Sequence, residues 1–176
     1  MNRFLLILLA FSMIWLLSCG SSTPTTKKNV SQPCNSEILK ESIIRWGGHN
    51  FKTNNLAGWQ IDADSKLYAF SKEGKNSEYK FKEISKLDSE KVCELFMTTQ
   101  KYFLEIQALN VPSDSSNFVE FINYKTGTNI RAAWNVRFKT HGSAEFRQLY
   151  DTLESIADRE FKIFLRKGDV PGNSIK

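Results

Sequence analysis

The chain has 176 residues, 41% of them hydrophobic and 24% charged, with 24 Lys and Arg against 19 Asp and Glu for a net charge of +5. That length suits one folded domain with short terminal segments, and the apolar share is enough for a core, which excludes a disordered or fibrous chain. The small basic excess does not suit a nucleic-acid binder, so no nucleic acid is expected as a partner. The first element is apolar. Asn2-Arg3 precedes a run from Phe4 to Leu17 that stops at Ser18-Cys19-Gly20. A charged start, a short apolar stretch and small residues at the exit are the pattern of a secretory signal peptide. About 14 residues at 1.5 Å each fall short of the roughly 20 needed to cross the hydrocarbon of a bilayer, so residues 1–18 read as a signal peptide rather than a retained span.

The end of that run, Leu16-Leu17-Ser18-Cys19, resembles the lipobox of bacterial lipoproteins. The resemblance implies that Cys19 is acylated, becomes the first residue of the mature chain and fastens it to a lipid bilayer. Several acyl chains hold durably, since each buried methylene contributes about 0.8 kcal/mol. Gly20 rather than an aspartate follows Cys19, and no acidic run comes after it. For a lipoprotein of a Gram-negative source this implies export and residence on the periplasmic face of the outer membrane. Residues 19–33 are polar, with Pro24, Pro33 and one isolated Val30. They bury too little apolar surface to order themselves and are expected to form a flexible tether.

One domain is expected over residues 34–167, with 168–176 as a C-terminal tail. With Cys19 committed to lipid, Cys34 and Cys93 remain as a candidate disulfide in an oxidising compartment. Such a bridge would close a loop of about 60 residues, which the chain-entropy view rates at roughly 4 kcal/mol. Two unbridged thiols are the alternative. Ile38 to Trp46 reads as a strand or a short helix, ended in either case by Gly47-Gly48. Trp59, Ile61 and Ala63 alternate with Gln60, Asp62 and Asp64, which predicts a hairpin turning near Asp64 into Leu67 to Phe70. After a turn at Glu73-Gly74-Lys75-Asn76, Tyr79, Phe81 and Glu83 alternate with Lys80, Lys82 and Ile84. Asp88 suits a helix N-cap, and Val92, Leu95, Phe96, Thr99, Phe103 and Ile106 keep helical spacing as its core stripe. A polar loop is expected from Asn110 to Asn117. Phe118 to Tyr124 and Ile130 to Phe138 form a second hairpin about Lys125-Thr126-Gly127-Thr128. Gly142-Ser143 opens a last helix with Phe146, Leu149, Tyr150, Leu153, Ile156 and Ala157 on one face, and Phe161, Ile163 and Leu165 either continue it or form a final strand.

Strand, strand, helix, twice over, predicts an α+β fold: an antiparallel sheet of about four to six strands with two main helices packed on one face. Gly47-Gly48 and this element order are similar to emfourin-like protease inhibitors. That likeness implies protease inhibition and carries over no inhibitory residue.

No cofactor or metal motif is present. Gly-x-Ser-x-Gly, His-Glu-x-x-His and a phosphate-cradling glycine loop are all missing from the sequence. His49 and His141 each sit beside a glycine in an expected loop. Asp62-Ala63-Asp64 is better explained by turn chemistry than by calcium, because Lys66 falls where a ligand would be needed. No catalytic residue is therefore expected, and the chain reads as no enzyme. Two binding candidates remain. Lys80 and Lys82 together with Arg131, Arg137 and Lys139 are expected on the sheet face away from the helices, where they would meet an anionic envelope component or a protein partner; a plain solvated face is the other reading. The second is Arg45-Trp46-Gly47-Gly48-His49-Asn50-Phe51, expected as a loop whose two aromatics and two glycines, with Trp46 and His49 as the binding candidates, enter a partner's cleft; the other reading is that Trp46 and Phe51 close the end of the core around a tight turn. The leading function is a membrane-anchored envelope lipoprotein with a non-enzymatic binding or accessory domain. A protease inhibitor, or a hydrolase whose site is assembled only by folding, are the alternatives.

Overall fold

A computed structural model describes residues 39–106, 109–137 and 143–167, all of them inside the unit Cys34–Lys176. The expected signal peptide, the tether, Cys19, Cys34, Lys139, His141 and the C-terminal tail lie outside the described residues. The elements run β1 Ser42–Asn50, β2 Asn55–Asp62, β3 Lys66–Lys72, β4 Lys80–Lys86, α1 Ser89–Glu105, β5 Asn110–Val111, β6 Ser115–Asn123, β7 Thr128–Asn135 and α2 Ser143–Arg166. The strands form one sheet in the order β4-β3-β2-β1-β6-β7-β5. All neighbours are antiparallel except β5, which runs parallel to β7. The fold is α+β as the sequence predicts, and both helices contribute to one core on one side of the sheet.

The sheet has seven strands, more than the four to six expected. The additional strand, β5, falls in the expected polar loop. Two residues carry no alternation to detect, and their strand character comes entirely from pairing with Ala133 and Trp134. Gly47-Gly48 does not end β1, which continues to Asn50 with β2 on one side and β6 on the other. Central strands carry apolar residues toward both faces, and Ile43, Ile44 and Trp46 are all buried. A glycine inside such a strand often marks a close backbone approach. Here Gly47 lies opposite Gly58. A Cβ on Gly47 would stand 2.1 Å from the Ala57 carbonyl oxygen, and one on Gly58 would stand 2.1 Å from that of Trp46.

Cross-strand partners share a face, so the register sorts the side chains. Ile44, Trp46, Trp59, Ile61, Leu67, Ala69, Val119, Phe121, Ala132 and Trp134 point to the helices. They meet Val92, Phe96 and Phe103 of α1 and Phe146, Leu149, Leu153 and Ala157 of α2. Helix α1 starts where Asp88 accepts hydrogen bonds from the backbone N–H groups of Glu90 and Lys91. Helix α2 runs unbroken to Arg166: Phe161 and Phe164 stack on one face while Ile163 and Leu165 are exposed, an i, i+3 pattern that rules out the final strand. Trp59 Nε1 ties β2 to α2 by donating to Glu154 Oε2 at 3.2 Å. Burial pushes the Glu154 carboxyl up, against hydrogen bonds from Tyr150 and Trp59 that favour the carboxylate. Among the described residues no helix is long and apolar enough to cross a membrane.

Candidate binding face

The opposite sheet face carries polar chemistry in an ordered row. Register places Arg131 beside Glu120, Glu120 beside Arg45, Arg45 beside Gln60, Gln60 beside Tyr68 and Tyr68 beside Glu83. Next to it runs Ala133, Phe118, Gly47, Gly58, Phe70 and Phe81. Two glycines in the middle of that second row leave a seat with aromatic walls, and the long side chains of the first row lean into it.

Arg45 fills one half. Its guanidinium donates to Glu120 Oε2 at 3.2 Å and twice to Gln60 Oε1 at 3.1 and 2.8 Å. Its Cζ lies 4.5 Å from the Tyr79 ring centre and 5.5 Å from that of Phe70. With Glu120 it forms an ion pair whose side chains are 9% and 10% exposed. Such a pair holds only with good hydrogen bonding, and the Gln60 fork supplies it.

Arg131 fills the other half, its Cζ 4.0 Å above the Phe118 ring. It donates through Nη2 to His49 Nδ1 at 3.2 Å. A guanidinium has no acceptor to offer, so Nδ1 must carry the lone pair and the ring proton sits on Nε2, which donates to Asn54 Oδ1 at 3.1 Å. His49 is thus held neutral as the Nε2–H tautomer. Burial, then Arg131 and Lys72, lower its pKa, against the Asn54 bond. Phe51 packs on the imidazole with ring centres 3.8 Å apart. Burial also lowers Arg131 from the ordinary arginine value, opposed by Glu120 and Tyr79.

Tyr79 sits where these cations meet. Arg45 lies against its ring, Lys72 Nζ is 5.2 Å from its centre, and its phenol acts on Arg131. Phe81 stacks on it and is 47% exposed; Phe51, across His49, is 41% exposed.

Among the described residues Lys80 and Lys82 do not join Arg131 in the expected basic field. Lys82 pairs with Ala69 and Lys80 with Ser71, which puts both on the helix side of edge strand β4. Lys82 Nζ lies 4.8 Å from the Phe164 ring of α2, and Lys80 is 3.8 Å from Glu73. They lie five strand positions along the sheet from Arg131 and on the opposite face. Arg137 is exposed just past the end of β7, its backbone N–H bonded to Asn135 Oδ1. Nor is Trp46 in a loop: it is fully buried in the core, and Gly47 and Gly48 pair with Gly58 and Ala57 inside the sheet. Asp62 takes turn duty, accepting from the N–H groups of Asp64 and Lys66 and from the Tyr68 hydroxyl. Among the described residues no cluster suits a metal ion.

Gln60, Glu120, Lys72 and Tyr79 escape sequence reasoning because pairing across strands, not spacing along one, gathers them around Arg45 and His49 of the expected second surface. A cavity of about 370 Å³ lies elsewhere, between α1 and the β2–β3 turn, with Leu39, Ala63, Val92, Cys93 and Phe96 in its wall. No protein-family model matches this chain, and no curated protein is similar to it.

Proposed function

We propose that this chain is a lipoprotein of the cell envelope, fastened to a membrane through acylated Cys19, whose folded domain is a non-enzymatic binding or accessory module. The observation that carries the binding reading is the locked assembly on the sheet face away from the helices. Arg45 is fixed by Glu120 and Gln60, and His49 by Asn54 and Arg131, so the face is preorganised. Fixed cations framed by half-exposed aromatic rings supply contact area at low entropic cost, which is what recognition needs. A hydrolytic base would need His49 free to take a proton from a substrate, whereas both its ring nitrogens are committed.

A Cys34–Cys93 bridge fits the same export reading. Cys93 lines the same cavity as Leu39, which follows Cys34 by five residues in the sequence. The bridge is read by mass spectrometry after alkylation without reductant. The function is tested by crosslinking in intact membranes followed by pull-down, beside sedimentation of Cys19→Ser. Recovery of one stoichiometric partner or ligand, with Cys19→Ser released from the membrane pellet, is the expected result. An unmodified amino terminus together with unchanged sedimentation overturns the anchor.

A further inference from the structure

The positive charge on the helix-free face is not balanced from within. Glu120 is the one carboxylate acting on Arg131 among the described residues, and it is already hydrogen-bonded to Arg45. Among the described residues the Arg131 guanidinium makes one hydrogen bond, to the neutral His49, although it offers five N–H donors. Lys72 adds a second cation, its Nζ 5.2 Å from the centre of the Tyr79 ring and, like Arg131, close enough to His49 to act on its charge. Neighbouring carboxylates are engaged elsewhere: Glu83 with Lys66 at 3.4 Å, Asp114 with Lys52, and Glu73 with Lys80. A partly buried guanidinium without its own anion is costly, and an incoming carboxylate or phosphate would make charge-assisted bonds there.

The groups around it narrow the ligand. Tyr79 lies against Arg45 and Lys72, Phe81 stacks on Tyr79 with about half its surface open, and Phe51 packs half-open on His49. Aromatic faces flanking fixed charges suit a body with flat apolar faces and polar edges, such as a pyranose ring. Resting on the binding-module reading above, we propose that Arg131, Lys72 and Tyr79 form an anion seat for an acidic glycan. Its carboxylate or phosphate lies on the cations and its sugar rings on Phe81 and Phe51. His49 is a positioning residue: by accepting from Arg131 it aims the remaining donors outward.

The test uses the full-length chain in non-ionic detergent, titrated with polygalacturonate, with neutral dextran, with inorganic phosphate and with phosphatidylglycerol vesicles. Saturable binding of polygalacturonate is expected, weakened at least about tenfold by Arg131→Gln and by Lys72→Gln. Phe81→Ala is expected to weaken it several-fold, while Lys80→Gln, on the helix side, leaves it unchanged. Should Arg131→Gln fail to fold by circular dichroism, Lys72→Gln, at a half-buried strand end, and charge-retaining Arg131→Lys carry the test. Binding that survives Lys72→Gln and Phe81→Ala overturns the site. So does equal binding of dextran, or binding of phosphate or vesicles without polygalacturonate. Membrane sedimentation reports the anchor independently, so a failed titration with Cys19-dependent pelleting intact removes only the glycan site.

Discussion

Glu120 is the carboxylate that two guanidiniums share, which makes Glu120→Gln a stringent perturbation. The replacement keeps the shape and can still accept from Arg45 Nη1, but among the described residues it removes the one carboxylate that acts on both Arg45 and Arg131. At 3.2 Å and an effective dielectric of about 20, one such contact is worth roughly 5 kcal/mol before desolvation is counted. Breaking a buried pair from one side costs about 3–5 kcal/mol, and the surviving hydrogen bond places Glu120→Gln near the lower end. Against a total stability of about 5–15 kcal/mol this is a large loss, read as a fall of roughly 10 °C in melting temperature. Urea unfolding followed by the fluorescence of buried Trp46 and Trp134 measures it directly. A second change fixes the sign. Arg131→Met in the native background should destabilise, because the His49 bond and the contact with Phe118 are lost. In the Glu120→Gln background the same change should recover at least about 1 kcal/mol, because it removes one of two unneutralised cations. A cost below about 1 kcal/mol for Glu120→Gln, or strict additivity of the two substitutions, would refute the shared-carboxylate account.

The sheet's glycines predict a contrast between two neighbouring strands. Gly58→Ala drives a Cβ into the Trp46 carbonyl and should cost at least about 2–3 kcal/mol, whereas Gly48→Ala meets nothing within 4 Å and should stay within about 1 kcal/mol of the native chain by the same urea titration. Removing the α1 cap with Asp88→Ala should cost about 1 kcal/mol by thermal melting. His49 has a folded pKa below its unfolded value of 6.5, so its contribution is complete above that pH and is lost as the pH falls through 6.5 toward the lower folded pKa. His49→Gln should flatten stability across that range, and an unchanged slope would count against the neutral tautomer. Glu154 has the opposite sign. Its raised carboxyl makes stability decline as the pH rises from 4.5, and Glu154→Gln should abolish that decline in urea midpoints taken between pH 4 and 6.

Much of the architecture was legible because periodicity and local chemistry agree. Asp88 caps α1, and Val92, Phe96, Thr99 and Phe103 bury at helical spacing. Ser65 with φ +66° turns the β2–β3 hairpin beside Asp62, and Gly127 with φ +67° turns the β6–β7 hairpin. The misreadings arise where a residue's role depends on a strand far away in sequence. Gly47-Gly48 has the composition of a strand end, and only the arrival of Gly58 opposite Gly47 makes it the pinched centre of a sheet.

The same dependence explains why the basic field was expected in the wrong place. Alternation correctly gives Arg131 to the face away from the helices, yet alternation cannot say whether that face is wet. On this sheet Phe118, Leu56, Phe70 and Ala133 build a second, smaller apolar cluster on that side, with Tyr79 packed against it. Two rows of side chains surround a gap left by two glycines, so the arginines fold inward over aromatic rings instead of standing in solvent. Lys80 and Lys82 alternate with Phe81 and share their side of β4 with Ile84, which is buried in the main core, so they fall on the helix side. A lysine edge and an arginine seat are thus different devices. The first keeps the rim of the sheet from pairing with other chains, at little cost in solvent. The second holds charge where water is scarce, and a charge held there acts strongly on whatever anion reaches it.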